Sequence, residues 1–262
     1  MMKKIVIGFL SILMLVVLGG YFLFTNLDVI IRTNVAKYAS AATQAKVDLD
    51  TVKLSLSSGD GMLKGLSIGN PKGFTTPQSF YLGLIEVTVD LSSLHGDGPI
   101  VIKTVVIDKP QVIYELLNDG TSNLQTIQNN ALAYAHSLSD HHSTNASKDD
   151  QVSDQPGRKV IIRDLVIRNG VIAISQEMLK GKQLSARLPE IHLTNIGKDS
   201  GVSVAQVTEQ IFGTFTSAAT QASVAQLAKE KIGGLLKRVP AASISKAAVE
   251  NVGGQLKGIL AP

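Results

Sequence analysis

Cysteine is absent from the 262 residues. That excludes disulfides, thiolate metal sites, a cysteine nucleophile and a lipidated cysteine anchor. Tryptophan is also absent and aromatics make up only 5%, so the core has to be built from Val, Ile, Leu and Ala. No G-x-G-x-x-G, Walker or H-E-x-x-H pattern occurs, which removes the usual sequence signs of a dinucleotide, a nucleoside triphosphate or a zinc protease site. The basic residues lack the interleaved aromatics on which nucleic-acid bases stack.

What is present begins with Lys3-Lys4 and then Ile5 to Phe24, IVIGFLSILMLVVLGGYFLF, twenty residues without a charge. As a helix this run spans roughly 30 Å, the thickness of a bilayer's hydrocarbon core. A cleaved signal peptide has a shorter apolar stretch closely followed by small residues. The only such site, Ala39-Ser40-Ala41, lies far downstream. Residues 1–25 therefore read as an uncleaved single-pass anchor, and the two lysines place its N-terminus in the cytoplasm. The other end of the chain is basic. From Lys229 onward Lys229, Lys231, Lys237, Arg238, Lys246 and Lys257 face only Glu230 and Glu250, a surplus equal to the +4 of the whole chain. An anionic membrane surface and a merely solvated helical face both account for it.

Between these ends the periodicity changes. Asp28 to Ala42 reads as a helix with Val29, Ile30, Val35 and Ala39 on one side. From Lys46 the period becomes two. Val47 and Leu49 alternate with polar residues, then Val52, Leu54 and Leu56 continue on the opposite parity, which suggests a β-bulge near Thr51. Ser58-Gly59-Asp60-Gly61 is a hairpin turn. Ile85, Val87, Val89 and Leu91 alternate with Glu86, Thr88 and Asp90, so one face is apolar and the other wet, as in an antiparallel sheet. Strands are expected at 99–108 and 111–117 around Pro110, and a helix at 121–138 with Leu124, Ile127, Ala131 and Tyr134 on one side. Residues 139–157 are polar and read as a disordered linker or long loop. A second strand group, 158–197, comes next. Val101 to Ile107 resembles Ile161 to Ile167 at an offset of sixty, and the match suggests a duplicated hairpin. Pro189 marks an edge or bulge in the last strand. Residues 198–262 read as basic amphipathic helices, the first with Val204, Val207, Ile211, Phe215, Ala218 and Ala222 as its stripe.

Candidate chemistry is sparse. Gly65-Leu66-Ser67-Ile68-Gly69 fits the G-x-S-x-G of a hydrolase nucleophile elbow, with Asp90 and His192 available in chain order. An elbow needs a helix directly after the serine, and here Asn70-Pro71-Lys72-Gly73-Phe74-Thr75-Thr76-Pro77 makes a turn and a loop. Asp140-His141-His142 carries ligand atoms in a polar stretch that supplies no rigid spacing. His192 alternates with Ile191 and Leu193 and belongs on a wet strand face. Asn145-Ala146-Ser147 is a glycosylation sequon that matters only in a eukaryotic secretory setting. The reading is non-enzymatic, with no cofactor and no metal.

The series GLSIGNPKGF, FYLGLIEVTVDLSSL, IVIKTVVIDKPQVIYEL and TSNLQTIQNN, in that order behind an anchor, resembles the N-terminal region of the AsmA-like family. The matching positions are Leu66, Ile68, Asn70, Pro71, Gly73 and Phe74; Val89, Asp90, Leu91, Ser93 and Leu94; Ile107, Asp108, Pro110, Val112, Tyr114 and Glu115; and Ser122, Asn123 and Leu124. VIIRDLVIRNGVIAI and LPEIHLTNIG resemble the downstream part of short members. The resemblance implies an inner-membrane-anchored, periplasmic, β-rich protein of a Gram-negative bacterium, related to bridge-like lipid transfer proteins and linked to outer-membrane biogenesis and phospholipid movement.

The expected fold is α+β: a transmembrane helix, a curved and mainly antiparallel sheet forming a taco-like half groove, and C-terminal amphipathic helices. Residues 26–138 would form the family-like β-rich region. Eight strands at about 4.8 Å would give roughly 40 Å of groove, too short to join two membranes. Lipid-groove candidates are Leu54, Leu56, Ile85, Val87, Val89 and Leu91, and the family-motif turn is Asn70, Pro71, Gly73 and Phe74. Partners would be membrane phospholipids and envelope-assembly proteins, not nucleic acid. Helices lying on the apolar face would instead leave a plain α+β domain. A scaffold that binds proteins and no lipid is the other class.

Overall fold

A computed structural model describes residues 27–140, 158–175, 179 and 184–230. The anchor run Ile5 to Phe24, positions 141–157 of the expected 139–157 linker with His141, His142 and the sequon, and the basic tail from residue 231 lie outside the described residues; positions 139 and 140 end a helix. Within them, no helix is long and apolar enough to cross a membrane.

The chain opens with helix α1 (residues 27–43). Strands β1 (Val47–Asp48), β2 (Thr51–Ser55), β3 (Asp60–Gly69) and β4 (Gln78–Val89) come next, then a short 3-10 turn, Leu91–Leu94. They lead into β5 (Ile100–Asp108), β6 (Gln111–Tyr114), helix α2 (Asn123–Asp140), β7 (Val160–Arg168) and β8 (Val171–Ile174). The series closes with β9 (Leu184–Arg187), β10 (Ile191–Ile196) and helix α3 (Val204–Lys229). All ten strands join one curved, open, mixed sheet.

The ten strands are six chain passes, several of them broken in the middle. β5 and β6 both pair antiparallel to the same side of β4, Asp108 opposite Leu84 and Gln111 opposite Tyr81. The chain therefore bends at Lys109-Pro110 without reversing. The expected duplicated hairpin is not a hairpin but a duplicated bent strand. Its two copies lie side by side and parallel, each residue opposite the one sixty further on: Val101 opposite Ile161, Ile107 opposite Ile167, Val112 opposite Ile172. The repeat seen in sequence is thus the register of the sheet. Parallel neighbours need a crossover, which runs through α2 and residues 141–157. The sheet is mixed rather than simply antiparallel for this reason. Six passes at about 4.8 Å span roughly 24 Å from first to last, well short of the expected 40 Å.

The break recurs across the sheet. Leu49-Asp50 separates β1 from β2, and both segments keep one register on β3, Asp48 opposite Ser67 and Thr51 opposite Lys64. The phase slip near Thr51 is real, but no residue is added on one strand, so it is not a bulge. Gly65 (φ 66) faces it from β3. Lys109 (φ 54) and Asn169 (φ 58) hold the same left-handed conformation in the two copies, and Leu188-Pro189-Glu190 parts β9 from β10. Each break shifts the apolar phase by one residue, so Ile107 and Val112, five apart, are both turned toward the core. Glycine is needed where the crease is tight. A Cβ on Gly65 would fall 2.0 Å from Asp50 Oδ2, and one on Gly170 would meet Leu188 Cβ at 2.9 Å and Pro110 Cγ at 3.0 Å.

The crease divides the sheet into two halves. On one, α3 packs over β6, β8 and β9 and also against α2, and it reaches across the crease to β10. Here the cross-strand row Val47, Ile68, Phe80, Val112, Ile172 is buried throughout, and the rings of Phe80 and Phe215 lie 5.4 Å apart. The stripe expected on α3 is rotated. Val204 is exposed, Val207 and Ile211 are half-buried, and the buried face is Phe215, Thr216, Ala219, Thr220, Ser223, Val224 and Leu227. Small Thr, Ser and Ala residues let the helix approach the sheet closely, and Thr220 hydrogen-bonds the phenol of Tyr114. Of the expected stripe, Phe215 is buried and Val207, Ile211, Ala218 and Ala222 pack against the core at its margin; only Val204 is exposed. On α2 the expected Leu124, Ile127 and Ala131 are all buried.

Candidate functional site

Two regions gather the residues singled out in the sequence. The first is a polar knot at the covered end of the sheet. β3 leaves the sheet at Gly69, and Asn70 and Pro71 turn the chain into the loop that returns as β4. Asn70 Nδ2 donates to the carbonyl of Thr76 at 2.8 Å and also to its hydroxyl. Across the knot, the Glu115 carboxylate accepts the main-chain N–H of Thr75 (2.7 Å) and of Thr76 (3.0 Å) and both their hydroxyls. Asn123, wholly buried, completes it. Its Nδ2 donates to Asn70 Oδ1 (2.9 Å) and to the Ile113 carbonyl (2.8 Å), while its Oδ1 accepts from the N–H of Glu115 and of Leu124. Ser122 Oγ accepts from Gln125 N and caps α2.

A buried carboxylate survives only when its lone pairs are satisfied. Burial pushes the Glu115 carboxyl up, but the hydrogen bonds from Thr75 and Thr76 outweigh it and hold the group below the ordinary glutamate value. Asn70, Glu115 and Asn123, far apart in sequence, are thus one structural lock between the β3–β4 loop and the β6–α2 corner. Pro71 is buried, Phe74 is half-buried, and Gly73 (φ 101) sits in open space. The sequence marked these residues as a series; their convergence on a single carboxylate had no signal in it beyond the isolated polar letters.

The second region is the half of the sheet beyond the crease. Cross-strand pairs place Val52, Leu63, Ile85, Ile107, Ile167 and Ile191 in one row, and Leu54, Gly61, Val87, Val105, Leu165 and Leu193 in the next. In the nearer row Val52, Ile85, Ile167 and Ile191 are buried; in the further row only Leu165 is. Cover thins toward the β2–β4 side: on β7 and β10, Ile162, Leu165 and Ile196 stay buried even far from the crease. Leu54, Leu63 and Val87 are half-buried and lie outside the main apolar cluster that Val105 and Ile107 pack against. Ile85, Val87 and Val89 therefore sit where the alternation put them. Two groove candidates do not. Leu56 is in the turn after β2 and 51% exposed, and Leu91 opens the 3-10 turn. The sheet ends before each of them, so neither belongs to its face.

The opposite face of this half is polar. Lys53, Glu86 and His192 are exposed, and His192 Nε2 lies 2.5 Å from Asp164 Oδ1. An open cleft of about 480 Å³ in this half is lined by residues of both parities, among them Lys53, Leu54, Met62, Glu86, Val87 and Val106. Ser67 lies within β3, opposite Asp48 and Tyr81, and the chain continues from it as strand and loop rather than as a helix. Asp90 is occupied in capping the 3-10 turn. Its Oδ1 accepts from the hydroxyl and N–H of Ser92, which hold the carboxyl below its usual range.

A further cleft, of about 690 Å³, lies between α1 and the β1–β2 break, lined by Arg32, Thr33, Ala36, Asp48, Leu49 and Asp50. Nothing in the periodicity marked it, because the cleft joins a helix face to a strand break that lie apart in the sequence.

Among proteins of known family, the model of the AsmA family matches residues 1–257. No curated protein matches the chain.

Proposed function

Because the chain belongs to the AsmA family, whose members' role in envelope or lipid biogenesis its architecture fits, we propose that it is a membrane-anchored, periplasmic, non-catalytic protein that holds phospholipid acyl chains on its sheet. The observation that carries this is the uneven cover of the sheet, which falls away toward β2–β4 beyond the crease. Helices cover the Val47 to Ile172 row completely, while the parallel row through Leu54, Val87 and Val105 remains half-open. Aliphatic side chains in register over several strands form a continuous apolar track. Leaving such a track uncovered in water costs about 25 cal/mol per Å², a cost that an acyl chain removes. The Lys3-Lys4 flank and the uncharged run after it supply the membrane from which lipid would come.

The test uses the full chain in cells, with a photoreactive phenylalanine analogue placed at Val87 or Val105, and at Glu86 on the opposite face. Phospholipid adducts at the first two positions and none at Glu86 are expected. Equal labelling at all three, or no lipid adduct at any, overturns the reading. Adducts to a protein alone at Val87 would make the chain a scaffold.

A further inference from the structure

The cleft between α1 and the β1–β2 break carries separated charges that do not neutralise one another. Arg32 Nη1 donates to the main-chain carbonyl of Asp50 at 3.2 Å, and among the described residues no carboxylate stands within ion-pair distance of its guanidinium. Asp48 is engaged by Lys46 at 2.7 Å. Asp50 has no cationic partner among the described residues, and its carboxylate lies close over the bare Cα of Gly65. Thr33 adds a hydroxyl and Leu49 a buried apolar base. One wall thus offers a cation whose guanidinium keeps donors beyond the one given to the Asp50 carbonyl, and the other a carboxylate free to take a cation.

The cleft also sits at a particular place. Arg32 lies eight residues beyond the end of the apolar run at Phe24. Asp50 lies two residues before Val52, where the nearer aliphatic row begins. We propose that this cleft receives a zwitterionic phospholipid headgroup, its phosphate on Arg32 and Thr33 and its primary ammonium on Asp50, at the point where lipid enters the sheet. A fork of donors suits a phosphate. A carboxylate beside it admits an ammonium and opposes a headgroup that is only anionic, which is selection by a repulsive element as well as an attractive one. This rests on the lipid-holding reading above and adds the class of headgroup.

The experiment reconstitutes the full-length protein in detergent and measures binding by native mass spectrometry. The probes are short-chain phosphatidylethanolamine, phosphatidylcholine and phosphatidylglycerol, with glycerophosphoethanolamine as a chainless control. Wild type should prefer the ethanolamine lipid by about threefold, the scale of exposed charge pairs, and should bind the chainless control far more weakly. Arg32→Gln should weaken both the ethanolamine and glycerol lipids. Asp50→Asn, nearly isosteric, should weaken the first and strengthen the second. Unchanged thermal unfolding of both variants shows that they fold. Identical lipid profiles in wild type, Arg32→Gln and Asp50→Asn would overturn the headgroup site while leaving lipid adducts at Val87 intact. Equal affinity for the chainless control would show an anion or zwitterion site unconnected with lipid, and would overturn it too.

Discussion

Lys109 and Asn169 hold the same left-handed backbone conformation in neighbouring parallel strands, with φ of 54° and 58°. The N–H of Lys109 donates to the carbonyl of Arg168 at 2.9 Å, and Asn169 Nδ2 donates to Asp108 Oδ1 at 2.7 Å. The bend in one strand is thereby stitched to the bend in the other. Neither Lys nor Asn takes this conformation without cost; the aligned ladder on both sides holds it in place. The breaks at Leu49-Asp50, Lys109-Pro110, Asn169-Gly170 and Leu188-Pro189-Glu190, with Gly65 on β3, lie along this one line, and β4 crosses it unbroken.

The first consequence concerns Gly170. Its alanine variant must push apart Leu188 and Pro110, which stand within 3.0 Å of the added methyl. Gly170→Ala should cost about 1 to 3 kcal/mol in urea unfolding. Gly98→Ala, where nothing lies within 4 Å, should change stability by no more than about 0.5 kcal/mol. If both are tolerated equally, the crease is looser than the distances say.

Glu115 should dominate the acid limb of stability. Its hydrogen-bonded carboxylate has a lowered folded-state value, so its contribution is present above about pH 4.3, the unfolded value, and is lost as pH falls through the folded one. Glu115→Gln turns an amide NH₂ toward donors that need an acceptor. It should cost about 2 to 4 kcal/mol and flatten the acid slope of a stability-against-pH curve. An unchanged slope would deny the knot its electrostatic role.

Tyr114 acts at the other end of the scale. Burial raises its phenol to about 12, against the opposing hydrogen bond from Thr220. The neutral form is the one the fold favours, so its contribution is complete below about pH 10 and disappears as pH rises through the folded value of about 12. Tyr114→Phe should remove that alkaline dependence and cost about 1 kcal/mol for the lost hydrogen bond, read by unfolding between pH 8 and pH 11.

Val87 and Glu86 are neighbours in β4 on opposite faces. Val87→Asp places a carboxylate in the half-open aliphatic row and should cost about 1 to 3 kcal/mol while abolishing phospholipid adducts at a photoreactive Val105. Glu86→Gln, on the wet face, should stay within about 0.5 kcal/mol and keep the adducts. Equal effects from the two would put the apolar track on the wrong face.

Alternation and helical spacing determined much of this protein from the sequence alone. Ile85, Val87 and Val89 share a face because period two leaves them no choice, and Leu124, Ile127 and Ala131 point inward on α2 because period 3.6 does the same. The offset-sixty match between 101–107 and 161–167 was visible as letters. Only the tertiary structure decided that the copies are parallel partners, that the phase slip near Thr51 lines up with the breaks in the other passes, and that Asn70, Glu115 and Asn123 meet. It also decided that α3 turns Thr216, Thr220 and Ser223 inward beside Phe215, and leaves Val204 exposed. The division has a physical cause. Side-chain periodicity is a local consequence of backbone geometry, whereas register, convergence of distant polar groups and the facing side of a helix with small residues depend on what stands opposite.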